Sequence, residues 1–268
     1  MTAADEHLRV IREELEGDER DSPAAVADSL IELEDVFLTF DKPILKGVSL
    51  EARKGETLMV AGESGTGKST ILKLILRLLI PDSGRITVLG EDVGALTFPE
   101  ALELRKQIGM VFQNAALFDS LTVFDNIAYP LRENTDLDDE RIIETVREKL
   151  DFVDLDPDEV MLQLPSQLSG GMRKRVGVAR AIATDPCIVL YDEPTAGLDP
   201  LTVGRINELI RKLQRELKVT SILVTHDIRA GFRVADRVNL LRHGEIVFDG
   251  SPEEMVAAND SYIKSFLS

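Results

Sequence analysis

Short, largely apolar runs recur along this chain of 268 residues, and segments with helical periodicity separate them. Such runs are typical of strands that are buried on both faces of a parallel sheet. They predict strands at residues 58–61, 108–112, 188–191 and 221–225. The alternation in Ile31-Glu32-Leu33-Glu34 predicts an edge strand with one buried face, and residues 48–50 continue in the same style.

Other segments carry their apolar side chains on one face of a helix. They predict helices at residues 68–80, 141–153 and 201–217. The turn residues Pro81-Asp82-Ser83-Gly84 are expected to end the first helix. Because strands alternate with helices, the pattern indicates an α/β fold whose central strands are parallel.

Two further segments refine this prediction. Residues 238–241 and 246–248 are largely apolar and flank His243-Gly244, which predicts a β-hairpin. Residues from about 115 to 169 lack good candidates for buried strands, so we expect a helical insertion within one domain.

The charge of the chain restricts its partners. The formal net charge is −17, and a surface this acidic repels phosphate backbones, so nucleic acid is not the expected partner. Residues 1–28 carry nine acidic and three basic side chains and predict a solvated, flexible tail. The N-terminus shows no secretory signal, and Lys73 and Arg77 interrupt the most apolar stretch, residues 71–80. We therefore expect any membrane span to come from another chain.

One glycine-rich segment carries phosphate-binding chemistry. Gly62-Glu63-Ser64-Gly65-Thr66-Gly67-Lys68-Ser69 matches the P-loop pattern, after a predicted buried strand and at the start of a predicted helix. Glycines let the backbone amides turn towards phosphate oxygens, and the helix N-terminus adds a positive dipole. Lys68 is expected to reach the β- and γ-phosphates of ATP, and Ser69 to offer its hydroxyl to Mg²⁺. The alternative is a glycine-rich turn that only connects strand to helix.

Two adjacent carboxylates, Asp192 and Glu193, follow the apolar run 188–191. Ligands of open α/β sheets bind at the carboxyl ends of the strands. There Asp192 can hold Mg²⁺ through its water shell, and Glu193 can act as general base towards the attacking water. The alternative is a pair of solvated carboxylates at a strand end.

Three more features go beyond a general P-loop site. Leu168-Ser169-Gly170-Gly171-Met172 opens a basic helical segment and forms a second candidate anion site, or else an ordinary helix N-cap. Gln113 follows the predicted strand 108–112, and His226 follows the predicted strand 221–225. Taken singly, these two are as readily a solvated glutamine and a hydrogen-bonded histidine.

Together, these motifs resemble the nucleotide-binding subunit of an ABC transporter, from about residue 31 to residue 267. The resemblance implies an α/β P-loop NTPase (RecA-like) core with a mainly parallel sheet, an N-terminal antiparallel β portion and an inserted helical subdomain. It places the ABC ATPase domain at residues 29–268 and the subdomain at about 115–170.

The resemblance also assigns roles to individual residues. It implies that Glu193, His226, Lys68 and Gln113 serve hydrolysis, and that Ser69, Gln113 and Asp192 serve Mg²⁺. Phe40 stands where the family keeps its adenine-stacking aromatic residue, although Phe37 is close by. The residues implied to bind ATP are Phe40, Gly62, Glu63, Ser64, Gly65, Thr66, Gly67, Lys68, Ser69, Thr70, Ser169, Gly170, Gly171 and Asp199.

Family members form head-to-tail dimers. The resemblance implies that Ser169, Gly170 and Gly171 of one copy close on the γ-phosphate held by the P-loop of the other. Asp199 would act across that interface, and Asp199-Pro200 also matches the N-cap and first residue of the next helix.

Met172 stands at the position of the signature segment where glutamine is usual in the ABC family. The surrounding sequence is similar to ATPases of Mla or MCE-type lipid transport systems. This resemblance implies a permease, an MCE-domain lipid-binding protein, a phospholipid or other hydrophobic substrate, and a peripheral location on the cytoplasmic face of the inner membrane. The alternatives are an importer ATPase for a small polar solute and a non-transport ABC protein. The direction of transport stays open.

The permease contact is expected around residues 115–131, where apolar residues closely follow Gln113. They are Leu117, Phe118, Leu121, Val123 and Phe124. The alternative is that they fill the core of the helical subdomain.

Overall fold

Two long antiparallel strands begin the part of the chain that the computed structural model describes, residues 28–267. The strands are β1 (Ser29–Thr39), β2 (Pro43–Arg53), β3 (Thr57–Ala61), β4 (Ser83–Val88), β5 (Glu91–Asp92), β6 (Ile108–Val111), β7 (Ile188–Asp192), β8 (Thr220–Thr225), β9 (Arg237–Arg242) and β10 (Glu245–Gly250). The helices are α1 (Lys68–Ile75), α2 (Phe98–Lys106), α3 (Val123–Asn134), α4 (Asp139–Phe152), α5 (Pro157–Val160), α6 (Gly170–Ala181), α7 (Pro200–Leu217), α8 (Ile228–Phe232), α9 (Pro252–Ala257) and α10 (Ser261–Leu267). Apart from Asp28, the predicted acidic tail lies outside the described residues.

The chain divides into two compact units. The first comprises residues 28–96 and 220–267, and it holds an antiparallel sheet of order β2-β1-β4-β5. It also holds β3, which pairs in parallel with β8 and β9, while β10 pairs with β9 in the antiparallel direction. Every residue of β3 and β8 is buried, as expected of central strands of a parallel sheet.

The second unit is Thr97–Val219. It holds β6 and β7, which pair in parallel, and the helices α2 to α7. Helices α3 and α4 pack on α6, so their apolar faces form its helical core. The helical insertion predicted for residues 115–170 falls within this unit.

The apolar runs and the hairpin are confirmed, with ends that differ by one or two residues. The β9–β10 turn uses His243 and Gly244 at φ 50° and 86°, and two consecutive positive φ angles suit the twist of a two-residue hairpin loop. No helix among residues 28–267 combines the length and the apolar character needed to cross a bilayer.

Two predictions about this fold are wrong. The strand that contains Ile31 and Leu33 is not an edge strand, because β1 lies between β2 and β4. Alternation reports one buried face and is the same for inner and edge strands of an antiparallel sheet. The first helix ends at Ile75 rather than at residue 80, because Arg77 adopts a left-handed conformation, with φ 50°, and its side chain donates to the Val93 carbonyl oxygen.

Arg237 holds β9 to β2 and β10 through a largely buried network. Its guanidinium donates to Glu56 Oε1 at 2.8 Å, to both oxygens of Asp249 and to the carbonyl of Glu51. Glu56 is only 2 % exposed. Burial opposes the charge of Arg237, but the hydrogen bond and charge of Glu56, together with the charges of Asp249 and Glu51, raise the pKa of the guanidinium.

We therefore predict that Arg237→Met lowers the free energy of unfolding by about 3–5 kcal/mol, because it leaves the Glu56 carboxylate buried without its partner. Urea titration followed by circular dichroism measures this change. The control is Arg53→Met, which removes an ion pair to Glu51 whose side chains are 47 % and 39 % exposed, and which should cost at most about 1 kcal/mol. Equal losses in the two variants would contradict the prediction.

Candidate nucleotide-binding site

The loop between β3 and α1 has the backbone of a P-loop. Gly62, Gly65 and Gly67 have φ angles of 157°, 80° and 104°, and Gly67 is the N-cap of α1. A Cβ on Gly62 would overlap the Leu241 carbonyl oxygen, and one on Gly67 would lie 2.9 Å from Ile44 Cγ2. Glycine is therefore required at both positions by the backbone and by the neighbouring residues.

Lys68 places its charge on this loop. Its side chain is buried, and Nζ donates to the carbonyl oxygens of Gly62 and Glu63 at 2.8 and 2.9 Å. Thr66 Oγ1 also donates to the Glu63 carbonyl, at 2.9 Å, and Thr70 N donates to the Gly67 carbonyl at 3.1 Å. The structure thus keeps the ammonium beside the first residues of the loop.

Two aromatic residues are candidates for contact with a base, and their packing differs. The Phe37 ring covers Gly47, where a Cβ would lie 3.1 Å from Phe37 Cζ. Phe40 lies in the turn between β1 and β2 and is 56 % exposed, against 43 % for Phe37. Its backbone amide donates to the Lys42 carbonyl. Phe40 therefore has the more accessible ring.

His226 directly follows β8 and is exposed. The next residue, Asp227, donates its amide to Thr225 Oγ1 at 3.0 Å and caps α8 by accepting from Ala230 N at 3.0 Å. These bonds hold the backbone on the carboxyl side of the histidine.

In the second unit, one buried lysine lies beside two predicted site residues. Lys174 is 6 % exposed, and its Nζ donates to the carbonyl oxygen of Gln113. Burial lowers the pKa of Lys174, and the charge of Glu193 opposes that shift. The structure thus brings the signature helix α6, Gln113 and Glu193 together around an ammonium that sequence reasoning missed.

The carboxylates lie at the end of β7, as predicted. Asp192 is the last residue of the strand, and Glu193 follows with φ 49°. A left-handed conformation is uncommon for a residue with a Cβ, and such residues cluster at functional sites. The strand thus stops at Asp192, and the chain turns sharply at Glu193.

The signature segment is also an ordinary helix start. Ser169 is the N-cap of α6, and its Oγ accepts from Met172 N at 3.2 Å. A Cβ on Gly171 would lie 2.7 Å from Thr202 Cγ2, whereas one on Gly170 would make only contacts of 3.8 Å or more. The packing of this unit thus explains the glycine at 171 but not the one at 170.

Asp199 has the structural role that its sequence predicts. It caps α7 by accepting from the amides of Leu201 and Thr202, both at 3.1 Å, and Thr202 Oγ1 donates to it at 2.6 Å. These hydrogen bonds, above all that of the Thr202 hydroxyl, lower the pKa of Asp199. Its carboxylate is therefore committed to the helix start.

The predicted site residues thus fall into two sets, one in each unit. The first unit holds Phe40, residues 62–70 and His226, and the second holds Gln113, residues 169–171, Asp192, Glu193 and Asp199. Within residues 28–267, no group of three or more His, Cys, Asp or Glu side chains is placed to hold a metal ion.

A groove of about 330 Å³ lies in the second unit beside the Gln113 segment. Its walls combine aromatic and basic side chains, among them Arg105, Lys106, Phe112, Phe118, Tyr129 and Arg180. Of the predicted permease-contact residues, Phe118 lines the groove and is half-exposed, whereas Val123 is fully buried. The two alternative roles, permease contact and core packing, therefore apply to different residues: Phe118 is accessible, and Val123 belongs to the core.

Comparison with known proteins identifies relatives of this chain. A family described as ABC transporter matches residues 45–196. The chain is 38 % identical over 240 residues to the intermembrane phospholipid transport system ATP-binding protein MlaF of Haemophilus influenzae, covering 89 % of this chain and 90 % of that protein. It is also 38 % identical over 225 residues to the probable ribonucleotide transport ATP-binding protein mkl of Mycobacterium leprae, covering 84 % and 64 %.

Among solved structures, the ATP-binding cassette MJ0796, a dimer in a post-hydrolysis state with ADP and Pi, is similar with a TM-score of 0.76 and 33 % identity. That match covers 83 % of this chain and 98 % of the cassette. The family match includes the loop 62–69 and the carboxylates Asp192 and Glu193.

Proposed function

The chain belongs to the ABC transporter family, and from this premise we propose that it energises the transport of a phospholipid or another hydrophobic molecule by an MCE-type system. It is an ATP-binding and ATP-hydrolysing subunit coupled to transport. The observation that carries the substrate class is the identity to MlaF along nearly the whole of both chains. The match to mkl keeps a polar solute as the second candidate.

The first unit supplies the groups for nucleotide binding. We propose that the P-loop amides and the N-terminus of α1 receive the phosphates. Lys68 then exchanges its carbonyl acceptors for the β- and γ-phosphates, which are stronger acceptors because they are charged. The exposed ring of Phe40 is placed to stack on the adenine.

Hydrolysis requires a base that activates water. We propose that Glu193 accepts the proton of the attacking water, and that His226 and Gln113 help to position that water and the γ-phosphate. Ser69 Oγ and the Asp192 carboxylate are the proposed oxygen donors to Mg²⁺, with Gln113 as a further donor. When bound, Mg²⁺ neutralises charge on the phosphate oxygens.

The signature segment completes the site of a second copy. Gly170 supports this, because the packing of its own unit does not require glycine there, whereas close approach of a γ-phosphate from the partner would. Ser169 at the N-terminus of α6 provides a hydroxyl and a helix dipole for that anion. The solved MJ0796 cassette is a dimer with ADP and Pi, which supports the same arrangement here, with Asp199 near the interface.

We predict that Ser169→Arg abolishes at least about 90 % of the ATPase activity of the assembled dimer, because the long cation blocks closure on the γ-phosphate. The mutant subunit should still bind ATP, since its P-loop is unchanged. Phosphate release and fluorescent-nucleotide titration measure the two effects. Ser166→Arg, at an exposed position in the preceding turn, is the control, and unaltered activity of Ser169→Arg would refute the shared site.

The groove in the second unit is the proposed permease contact. Its basic residues stand out in a chain of net charge −17, so a permease segment with apolar and acidic side chains would complement it. This contact would hold the subunit at the cytoplasmic face of the inner membrane.

Affinity purification of the tagged chain from its native membrane tests both partner and substrate. A co-purifying permease with an MCE-domain protein supports lipid transport, and a periplasmic solute-binding protein overturns it.

Phe118→Glu should lose the permease, whereas Leu217→Glu, a similarly exposed apolar position on α7, should retain it.

A further inference from the structure

The segment that follows Gln113 is held in an unfavourable backbone conformation. Ala115 and Ala116 are consecutive and both left-handed, with φ 58° and 47°. This conformation is disfavoured for residues with a Cβ, and outside two-residue hairpin turns left-handed residues normally occur singly. Two in succession persist only when their surroundings hold them, and the contacts of this segment show which groups do so.

Arg180, near the carboxyl end of α6, binds both residues. Its Nη2 donates to the Ala115 carbonyl at 2.8 Å, and its Nη1 donates to the Ala116 carbonyl at 2.7 Å. The planar fork of a guanidinium suits two neighbouring acceptors, which a lysine ammonium cannot match. Burial lowers the pKa of Arg180. Its bond to Ala115 is partly buried, and hydrogen bonds shielded from water are stronger than those in water.

Two more contacts from the same helix reach the same segment. Lys174 Nζ donates to the Gln113 carbonyl. Gly177 brings the α6 backbone so close that an added Cβ would lie 3.1 Å from Ala115 Cβ. Positions 174, 177 and 180 are three residues apart and share one face of the helix. We call Lys174, Gly177 and Arg180 the loop clamp, and residues 113–116 the clamped loop.

We infer that the loop clamp makes the clamped loop move with the signature helix α6 as one body. When a partner's nucleotide engages Ser169 at the start of α6, the helix would carry Gln113 with it. The clamp also reaches the groove, because Ala116 and Arg180 both line it. Lys174, Gly177 and Arg180 are thus positioning residues that link nucleotide engagement to the permease contact, and the inference rests on the proposed function.

Hydrogen exchange of backbone amides tests this link in the Glu193→Gln background, where bound ATP is expected to be hydrolysed only slowly. ATP should slow exchange both in residues 169–173 and in residues 113–118. In Arg180→Gln, we expect the slowing at 169–173 to remain and the slowing at 113–118 to fall by about tenfold, the factor that one net hydrogen bond supports.

Two variants separate the clamp from a general loss of structure. Arg175→Gln removes an arginine on the same helix that donates to the carbonyls of Val153 and Asp154, and it should leave both effects of ATP intact. Arg180→Lys keeps one charged donor and should restore part of the slowing at 113–118. It also keeps the test decisive if Arg180→Gln does not fold.

The outcomes distinguish this inference from the proposed function. If ATP slows exchange at 113–118 equally with and without Arg180, the clamp is overturned while the shared site stands. If ATP does not slow exchange at 169–173 in the parent, the shared site is overturned, and with it the transmission through α6. Without nucleotide, faster exchange at 113–118 in Arg180→Gln alone would still support attachment of the loop to α6, and unchanged exchange would overturn it.

Discussion

Glu193→Gln is expected to reduce the rate of ATP hydrolysis by about 10²- to 10⁴-fold, the contribution of a positioned general base. Glutamine keeps the shape of the side chain and removes its ability to accept a proton. Glu193 lies at a sharp turn directly after β7, with φ 49°. The substitution should preserve ATP binding, because the P-loop contacts involve other residues.

The same variant should accumulate a closed dimer. If ATP joins two copies and hydrolysis separates them, a subunit that binds but does not hydrolyse remains paired. Light scattering after gel filtration with ATP measures the mass, and phosphate release measures turnover. Glu208→Gln, an exposed carboxylate on α7, is the control. Near-normal turnover of Glu193→Gln would remove Glu193 as the base.

Lys68→Ala is expected to weaken ATP binding by about 100-fold, the factor that corresponds to the loss of about 3 kcal/mol of charge-assisted hydrogen bonds. The ammonium is buried at the loop and donates to two of its carbonyls. Its removal therefore takes away the proposed phosphate donor and also the hydrogen bonds to the carbonyls of Gly62 and Glu63.

Titration with a fluorescent nucleotide measures this loss of affinity. Lys73→Ala removes an exposed lysine from the same helix and should leave the affinity unchanged, which excludes a general effect of net charge. Thermal unfolding of both variants reports any change in stability. Unchanged affinity of Lys68→Ala would count against the P-loop as the phosphate site.

Much of this fold could be predicted from local patterns. The strands β3, β6, β7 and β8 were identifiable as apolar runs because a strand covered on both faces has no polar side. The end of α1 was not identifiable, because apolar periodicity continues past Ile75, whereas the helix stops before Arg77, which is left-handed and donates to the Val93 carbonyl. The place of β1 within its sheet could not be predicted either, since the alternation of apolar and polar residues does not depend on which strands pair with it.

The candidate site likewise contains some residues that could be predicted from the sequence and others that could not. The motif residues could be named because phosphate and proton chemistry demands particular side chains at fixed spacing. Lys174 and Arg180 could not be named, because their acceptors are the backbone carbonyls of Gln113, Ala115 and Ala116. Every residue has a carbonyl, so such a pairing has no sequence signature except the shared helix face.

The sequence by itself therefore determined the family, and it predicted the phosphate loop 62–69, the carboxylates that follow β7 and the signature segment. Each is a local constraint of backbone freedom or side-chain chemistry. The tertiary structure decided that Phe37, although 43 % exposed, packs on Gly47, while Phe40 is 56 % exposed. It decided as well that Gly171 is a packing glycine while Gly170 is not. It also decided that α6 holds the loop after Gln113. These features depend on which distant segments touch, and contact between distant segments is a property of the folded chain alone.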